Sequence, residues 1–162
     1  MKIKENNYAF IDGQNLHLGV RSLGWKLDFT RFRKYLLEKY SVKVAYYFVG
    51  YMPGNQPLYS ELQKAGYVLV FKPTIPDGDG NIKGNIDADL VLQAMIDLSN
   101  YDKAIIVTSD GDFYSLVKYL YNNSKLRFVM SPYVKTCSSL LKKEAKEKIV
   151  FMNNLKDKLS RK

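Results

Sequence analysis

Residues 103–121 read KAIIVTSDGDFYSLVKYLY, and the fold is decided there. KAIIVTS (103–109) is an unbroken apolar run of strand length, the pattern of a strand buried on both faces of a parallel sheet. It stops at Asp110-Gly111-Asp112, and a helical pattern runs from about Asp112 to Tyr121. Working outward, YAFID (8–12) is strand one, residues 14–23 a short helix, and Asp28 the N-cap of the amphipathic FTRFRKYLLEKY. VKVAYYFVGY (42–51) is strand two, LYSELQKA a helix closed by Gly66, and YVLVFKP (67–73) strand three. TIPDGDGNIKGN (74–85) reads as an exposed flexible loop, after which Asp87 caps a helix over 88–98. With 103–109 as strand four, LRFVM (126–130) is strand five, a helix covers 138–147, and IVFMNNLKDKLSRK is a short apolar segment with a terminal helix.

Strands alternating with helices predict an α/β, three-layer Rossmann-like domain. Its central, mostly parallel sheet has five strands in the order 3-2-1-4-5, with helices on both faces joined by right-handed crossovers. One domain is expected over 1–162, with a basic C-terminal segment from about 136. Ligands of such sheets bind beyond the carboxyl ends of the strands, where strand order reverses. Strands one and four meet at that point.

Composition excludes several classes. Hydrophobic content of 46% argues for a packed core, and no apolar run approaches the roughly 18 residues of a membrane span. The N-terminus MKIKENNYAF enters a strand without the apolar stretch of a signal peptide, and the single cysteine, Cys137, rules out an internal disulfide or a cysteine cage. A cytoplasmic protein is expected. Residues 125–162 hold eleven Lys/Arg against three acids, net +8, whereas residues 1–124 hold fourteen against thirteen. The basic third fits either a polyanion-binding surface or a solvated lysine-rich helix.

Against that basic background stand acids at element ends: Asp12, Asp87 with Asp89, and Asp110 with Asp112. Neighbouring carboxylates repel by roughly 4 kcal/mol at 4 Å and an effective dielectric of about 20. A convergent group therefore requires a cation or protons among its members. Taken singly, Asp12 could be only the N-cap of the next helix, with Gly13 allowing the chain to turn tightly. Asp87 and Asp89 lie about 200° apart on a regular helix, so both reach one site only if Asp87 sits in the non-helical cap position. Asp110 is the expected inner ligand, and Asp112 is part cap and part ligand. Oxygen ligands without clustered His or Cys select Mg2+ or Mn2+. Two such ions about 4 Å apart suit phosphodiester hydrolysis. Asn15 and Ser109 are candidate substrate-binding groups, with Thr108 beside them, and Lys83 is a candidate cation for a phosphate backbone. His17 reads as a surface or packing residue, and some tyrosines among Tyr46, Tyr47, Tyr51 and Tyr59 could stack bases.

FIDGQNL, KGNIDADLVLQAM and VTSDGDF, in that order, resemble the NYN domain, the LabA-like branch of the PIN-like nuclease superfamily, over roughly residues 7–152. The resemblance implies a compact α/β fold, an acidic pocket for divalent metal, and ribonuclease activity on RNA. By position it carries Asp12, Asp87 and Asp110 over as the acidic core, Asp89 and Asp112 as accompanying acids, and Asn15 as the polar partner. PIN-like domains often pair, so a homodimer is one of the oligomeric states left open. Gln93 stands where many relatives carry a further acid, which weakens one metal contact and leaves the number of ions, one or two, open. The expected function is thus a Mg2+/Mn2+-dependent ribonuclease, with a non-catalytic RNA-binding or regulatory module as the alternative. A small-molecule phosphatase or phosphoacceptor fits less well, because position 14 is Gln and the last strand is followed by Ser131-Pro132.

Overall fold

The computed structural model describes residues 4–73, 75, 76, 78, 82, 83 and 85–162, giving for 75, 76, 82 and 83 the backbone course alone. The described strands are β1 (Asn7–Asp12), β2 (Val42–Gly50), β3 (Val68–Lys72), β4 (Ile75–Pro76), β5 (Ile82–Lys83), β6 (Ala104–Val107), β7 (Leu126–Ser131) and β8 (Ile149–Phe151). The helices are α1 (Gly13–Leu23), α2 (Phe29–Tyr40), α3 (Gln56–Ala65), α4 (Asp87–Ile96), α5 (Tyr114–Asn122), α6 (Ser139–Ala145) and α7 (Lys156–Leu159).

The central sheet runs β3-β2-β1-β6-β7-β8, with every neighbouring pair parallel. The expected order is present, with one correction: the sheet has six strands instead of five. The extra strand, β8, lies within the segment read only as short and apolar. It pairs with β7 through Val129↔Ile149, Met130↔Val150 and Ser131↔Phe151. Three residues are too few to carry a periodicity of their own. A second correction concerns 74–85, where Ile75–Pro76 and Ile82–Lys83 form a short antiparallel pair.

Alternation along β1 sorts the core into two layers. Ala9 and Ile11 face Leu16, Val20, Phe32, Leu36 and Leu62 of α1, α2 and α3. Phe10 faces the other way, with Phe48 and Ile106, against Leu90 of α4, Leu116 and Leu120 of α5 and Leu141 of α6. Each layer buries most of an apolar face, which is the principal stabilising contribution of the fold. The same alternation puts Asp12, two residues beyond Phe10, on the α4 side of the sheet at its carboxyl edge.

Candidate metal centre

β1 is apolar and buried until Asp12, which ends the strand with φ −75° and ψ 99° and caps α1 by accepting the Asn15 N–H on Oδ1 at 3.2 Å. Gly13 follows because the chain is pressed against β2. A Cβ there would lie 2.8 Å from the Phe48 carbonyl oxygen, in addition to striking the Tyr47 ring. Asp12 is thus the helix cap, and it also forms the floor of the acidic group; the two readings of its sequence position hold together.

β6 is buried throughout and delivers Thr108, Ser109 and Asp110 beside β1. The Thr108 hydroxyl donates to Asp12 Oδ2 at 3.2 Å and accepts the Asp110 N–H at 3.1 Å. Asn15 Oδ1 accepts the Ser109 N–H at 2.8 Å. Ser109 is itself buried, and its hydroxyl is shared with that of Ser131 at 2.7 Å. Asp110, not Asp112, does the capping after β6: its Oδ1 accepts the Asp112 N–H at 2.9 Å and opens a 3-10 turn over Gly111–Phe113.

Asp87 arrives from the side. It is the first helical residue of α4 and Ile86 is the cap, so the expected cap role of Asp87 is corrected. Asn85 Oδ1 takes the Asp87 N–H instead, at 2.8 Å. With Asp87 and Asp89 both inside the helix, their side chains diverge.

Asp12, Asp87 and Asp110 each present a carboxylate oxygen, and these oxygens lie within 4.8 Å of one another. Asp89, partly exposed, and Asp112, exposed, stand outside that group. Asp12 is only 6% exposed. Burial drives its pKa up from 3.8 to about 6; the Asn15 N–H and the Thr108 hydroxyl pull it down, and the charges of Asp87 and Asp110 push it further up. The pKa of Asp87 is also raised, first by burial and then by Asp110 and Asp112, with the Lys72 charge opposing. A buried carboxylate with two acidic neighbours and no ion-pair partner among the described residues carries uncompensated charge. Three oxygens at this spacing are a donor set suited to a hard divalent cation.

The Lys83 side chain lies outside the described residues. Gln93 donates to Asp97 Oδ2 at 2.9 Å, alongside the Tyr46 hydroxyl at 2.6 Å, so its amide serves a structural carboxylate at the far end of α4. Tyr47 and Tyr59 are buried, Tyr51 stacks on Tyr59, and His17 is exposed on α1. In the basic third, Lys125 and Lys148 bind backbone carbonyls, Arg127 lies over Tyr40, Lys146 over Tyr121, and Arg161 pairs with Glu61. Lys135, Lys142, Lys143, Lys156, Lys158 and Lys162 are exposed. Lys72, which the sequence does not single out, carries a charge that acts on Asp87. No helix among the described residues is long and apolar enough to cross a membrane.

Comparison with known proteins bears on this arrangement. Residues 8–153 match the family model described as the NYN domain. Low amplitude and bright protein LabA of Synechococcus elongatus is 26% identical over 121 residues, which cover 68% of this chain and 65% of that protein. The chain therefore spans just under two thirds of that relative's length. A crystal structure of a protein of unknown function from Vibrio parahaemolyticus shares the fold. Its TM-score is 0.81 at 24% identity, covering 98% of this chain and 99% of that one.

Proposed function

The chain belongs to the NYN domain family, a branch of a nuclease superfamily, and on that premise we propose that it is a metal-dependent ribonuclease hydrolysing RNA phosphodiester bonds. One observation carries the reading: the convergence of Asp12, Asp87 and Asp110 to within 4.8 Å, with Asp12 buried.

In this proposal the three acids hold Mg2+ or Mn2+, and Asp112 stands at the rim. A hard divalent cation supplies charge neutralisation to a phosphodiester and activation of water. The chain's own residues do the rest. Thr108 and Asn15 fix the two strand-end acids by hydrogen bonds to side chain and backbone. Asp89 lies outside the carboxylate group, and Ser109 has its hydroxyl committed to Ser131, so we assign neither a direct contact with the ion or RNA. The exposed lysines from Lys135 onward attract the polyanion. The alternative, an RNA-binding module without turnover, draws on the basic C-terminal segment and on Gln93, whose amide is occupied by Asp97 away from the acids.

The test is incubation of labelled RNA with the protein and Mn2+, with Asp110→Asn as control. Cleavage by wild type and none by the variant is expected; intact RNA in both sinks the activity.

A homodimer is proposed across α4. Its outer face exposes Leu92, Met95 and Ile96, and α4 is the one α-helix among the described residues without Lys or Arg. Two copies of a +9 chain meet with least repulsion there. Sedimentation should give a dimer for wild type and a monomer for Leu92→Glu; a monomeric wild type at high concentration ends this part of the proposal.

A further inference from the structure

Lys72 ends β3, and the sheet register fixes where it points. Asp12 pairs with Phe48 and Phe48 with Val70, while Gly50 pairs with Lys72. Phe10, Phe48 and Val70 all belong to the apolar layer on the α4 side. Asp12, two residues beyond Phe10, and Lys72, two beyond Val70, therefore emerge on that same side at the carboxyl edge of the sheet. Two strand spacings, about 10 Å, separate β3 from β1. A lysine stem is long enough to span part of that gap, and the Lys72 charge acts favourably on Asp87.

What distinguishes Lys72 is that its ammonium has no hydrogen-bond or ion-pair partner among the described residues. Among the described residues, the other half-buried cations all have partners. Arg31, Arg33, Lys125 and Lys148 donate to backbone carbonyls, Lys103 faces Glu5, and Arg127 lies over Tyr40. Lys72 is equally half-buried, yet no hydrogen bond or ion pair engages its Nζ among the described residues. Partial burial of a lysine costs hydration and side-chain entropy. An anion entering the crevice would compensate for that cost. Close to a cation site, a lysine opposes the metal, so holding the ion together is not the role its charge suits.

We propose that Lys72 is the phosphate anchor of this crevice, holding a phosphodiester of a bound RNA strand on the α4 side of the carboxylates. The assignment rests on the ribonuclease reading. It makes Lys72 a substrate-positioning residue, supplied by β3, which carries none of the motifs that supply the acids.

The experiment is fluorescence anisotropy of a short labelled single-stranded RNA in Ca2+, over a salt series, with wild type, Lys72→Met and Lys72→Arg. Met keeps the aliphatic stem, so packing of β3 is retained. Lys72→Met should bind about tenfold more weakly at low salt and lose about 0.7 from the log–log salt slope, the value for one phosphate contact on a single strand. Lys72→Arg should restore both, and in Mn2+ the cleavage defect of Lys72→Met should fall on KM, leaving kcat near wild type. Thermal stabilisation by Mn2+ should be unchanged or greater in Lys72→Met. Wild-type affinity and slope in Lys72→Met overturn the anchor, as does loss of Mn2+ stabilisation. RNA bound but left intact by wild type in Mn2+ ends the ribonuclease reading alone, and the slope deficit of Lys72→Met would still support the anchor.

Discussion

Asn15 Oδ1 accepts the N–H of Ser109 at 2.8 Å, tying the first turn of α1 to the end of β6 across the point where strand order reverses. Asp12 precedes Asn15 by three residues and Asp110 follows Ser109, so this bond sets the spacing of two of the three converging acids. Asn15→Ala leaves the N–H of a buried residue unpaired, at about 1–3 kcal/mol. Thermal melts should show that loss. Stabilisation by added Mn2+ should fall as well, because the two carboxylates lose their common brace. A variant with wild-type melting and wild-type response to Mn2+ would show the bond to be dispensable.

Asp12→Asn should stabilise the metal-free protein at neutral pH. In the fold Asp12 has its pKa raised from 3.8 to about 6, so the folded state holds this proton more tightly than the unfolded one. The contribution of Asp12 to stability is therefore greatest below pH 4, declines as pH rises from 4 to 6, and is at its worst above that. Two units correspond to about 3 kcal/mol. Asn retains the Oδ1 acceptor that caps α1, and its amide can donate to Thr108. Melts of both proteins in EDTA should coincide near pH 4 and diverge by up to that amount at pH 7.5. An Asn variant less stable than wild type at pH 7.5 would contradict the sign.

Much of this site was legible because acids that end buried strands cannot be explained by packing. Asp12 and Asp110 follow apolar runs whose depth dictates parallel strands, and the reversal of order then brings them together. What resisted reading depended on exact local geometry or on lateral neighbours. Asp87 and Asp89 differ by two positions on α4, and only the location of the helix start, at Asp87 with Asn85 taking its N–H, separates their directions. β8 is three residues long and is defined by β7 beside it. Lys72 is remote in sequence from Asp12 and Asp110, and its position follows from the register of β3 on β2, which no spacing along the chain encodes.

Gly13→Ala tests the backbone approach that places Asp12. The added Cβ would meet the Phe48 carbonyl oxygen at 2.8 Å and the Tyr47 ring. Tyr47 is buried and donates its hydroxyl to the Gly13 carbonyl at 3.3 Å, so neither neighbour can retreat cheaply. Destabilisation of about 1–3 kcal/mol is expected from overpacking. Because β1 would be pushed from β2, Mn2+ stabilisation should weaken beyond what the loss of folding free energy explains. Chemical denaturation with and without Mn2+ separates the two effects. Equal stability of Gly13→Ala and wild type would refute the packing argument.

Metal and proton should compete for Asp12. Its neighbours Thr108 and Asn15 already satisfy part of its charge, yet burial keeps its pKa near 6, so a cation that binds the carboxylate must displace the proton below that pH. Asp87, also raised by burial and by Asp110, adds to the same trend. Mn2+ affinity should be nearly flat above pH 7 and fall about tenfold for each unit below pH 6 on account of Asp12 alone. Calorimetric titrations at pH 6 in buffers of different ionisation enthalpy should report about half a proton released from Asp12 for each ion bound. Binding without proton release at pH 6, and with no loss of affinity down to pH 5, would mean that the ion sits elsewhere and that the three carboxylates converge for another reason.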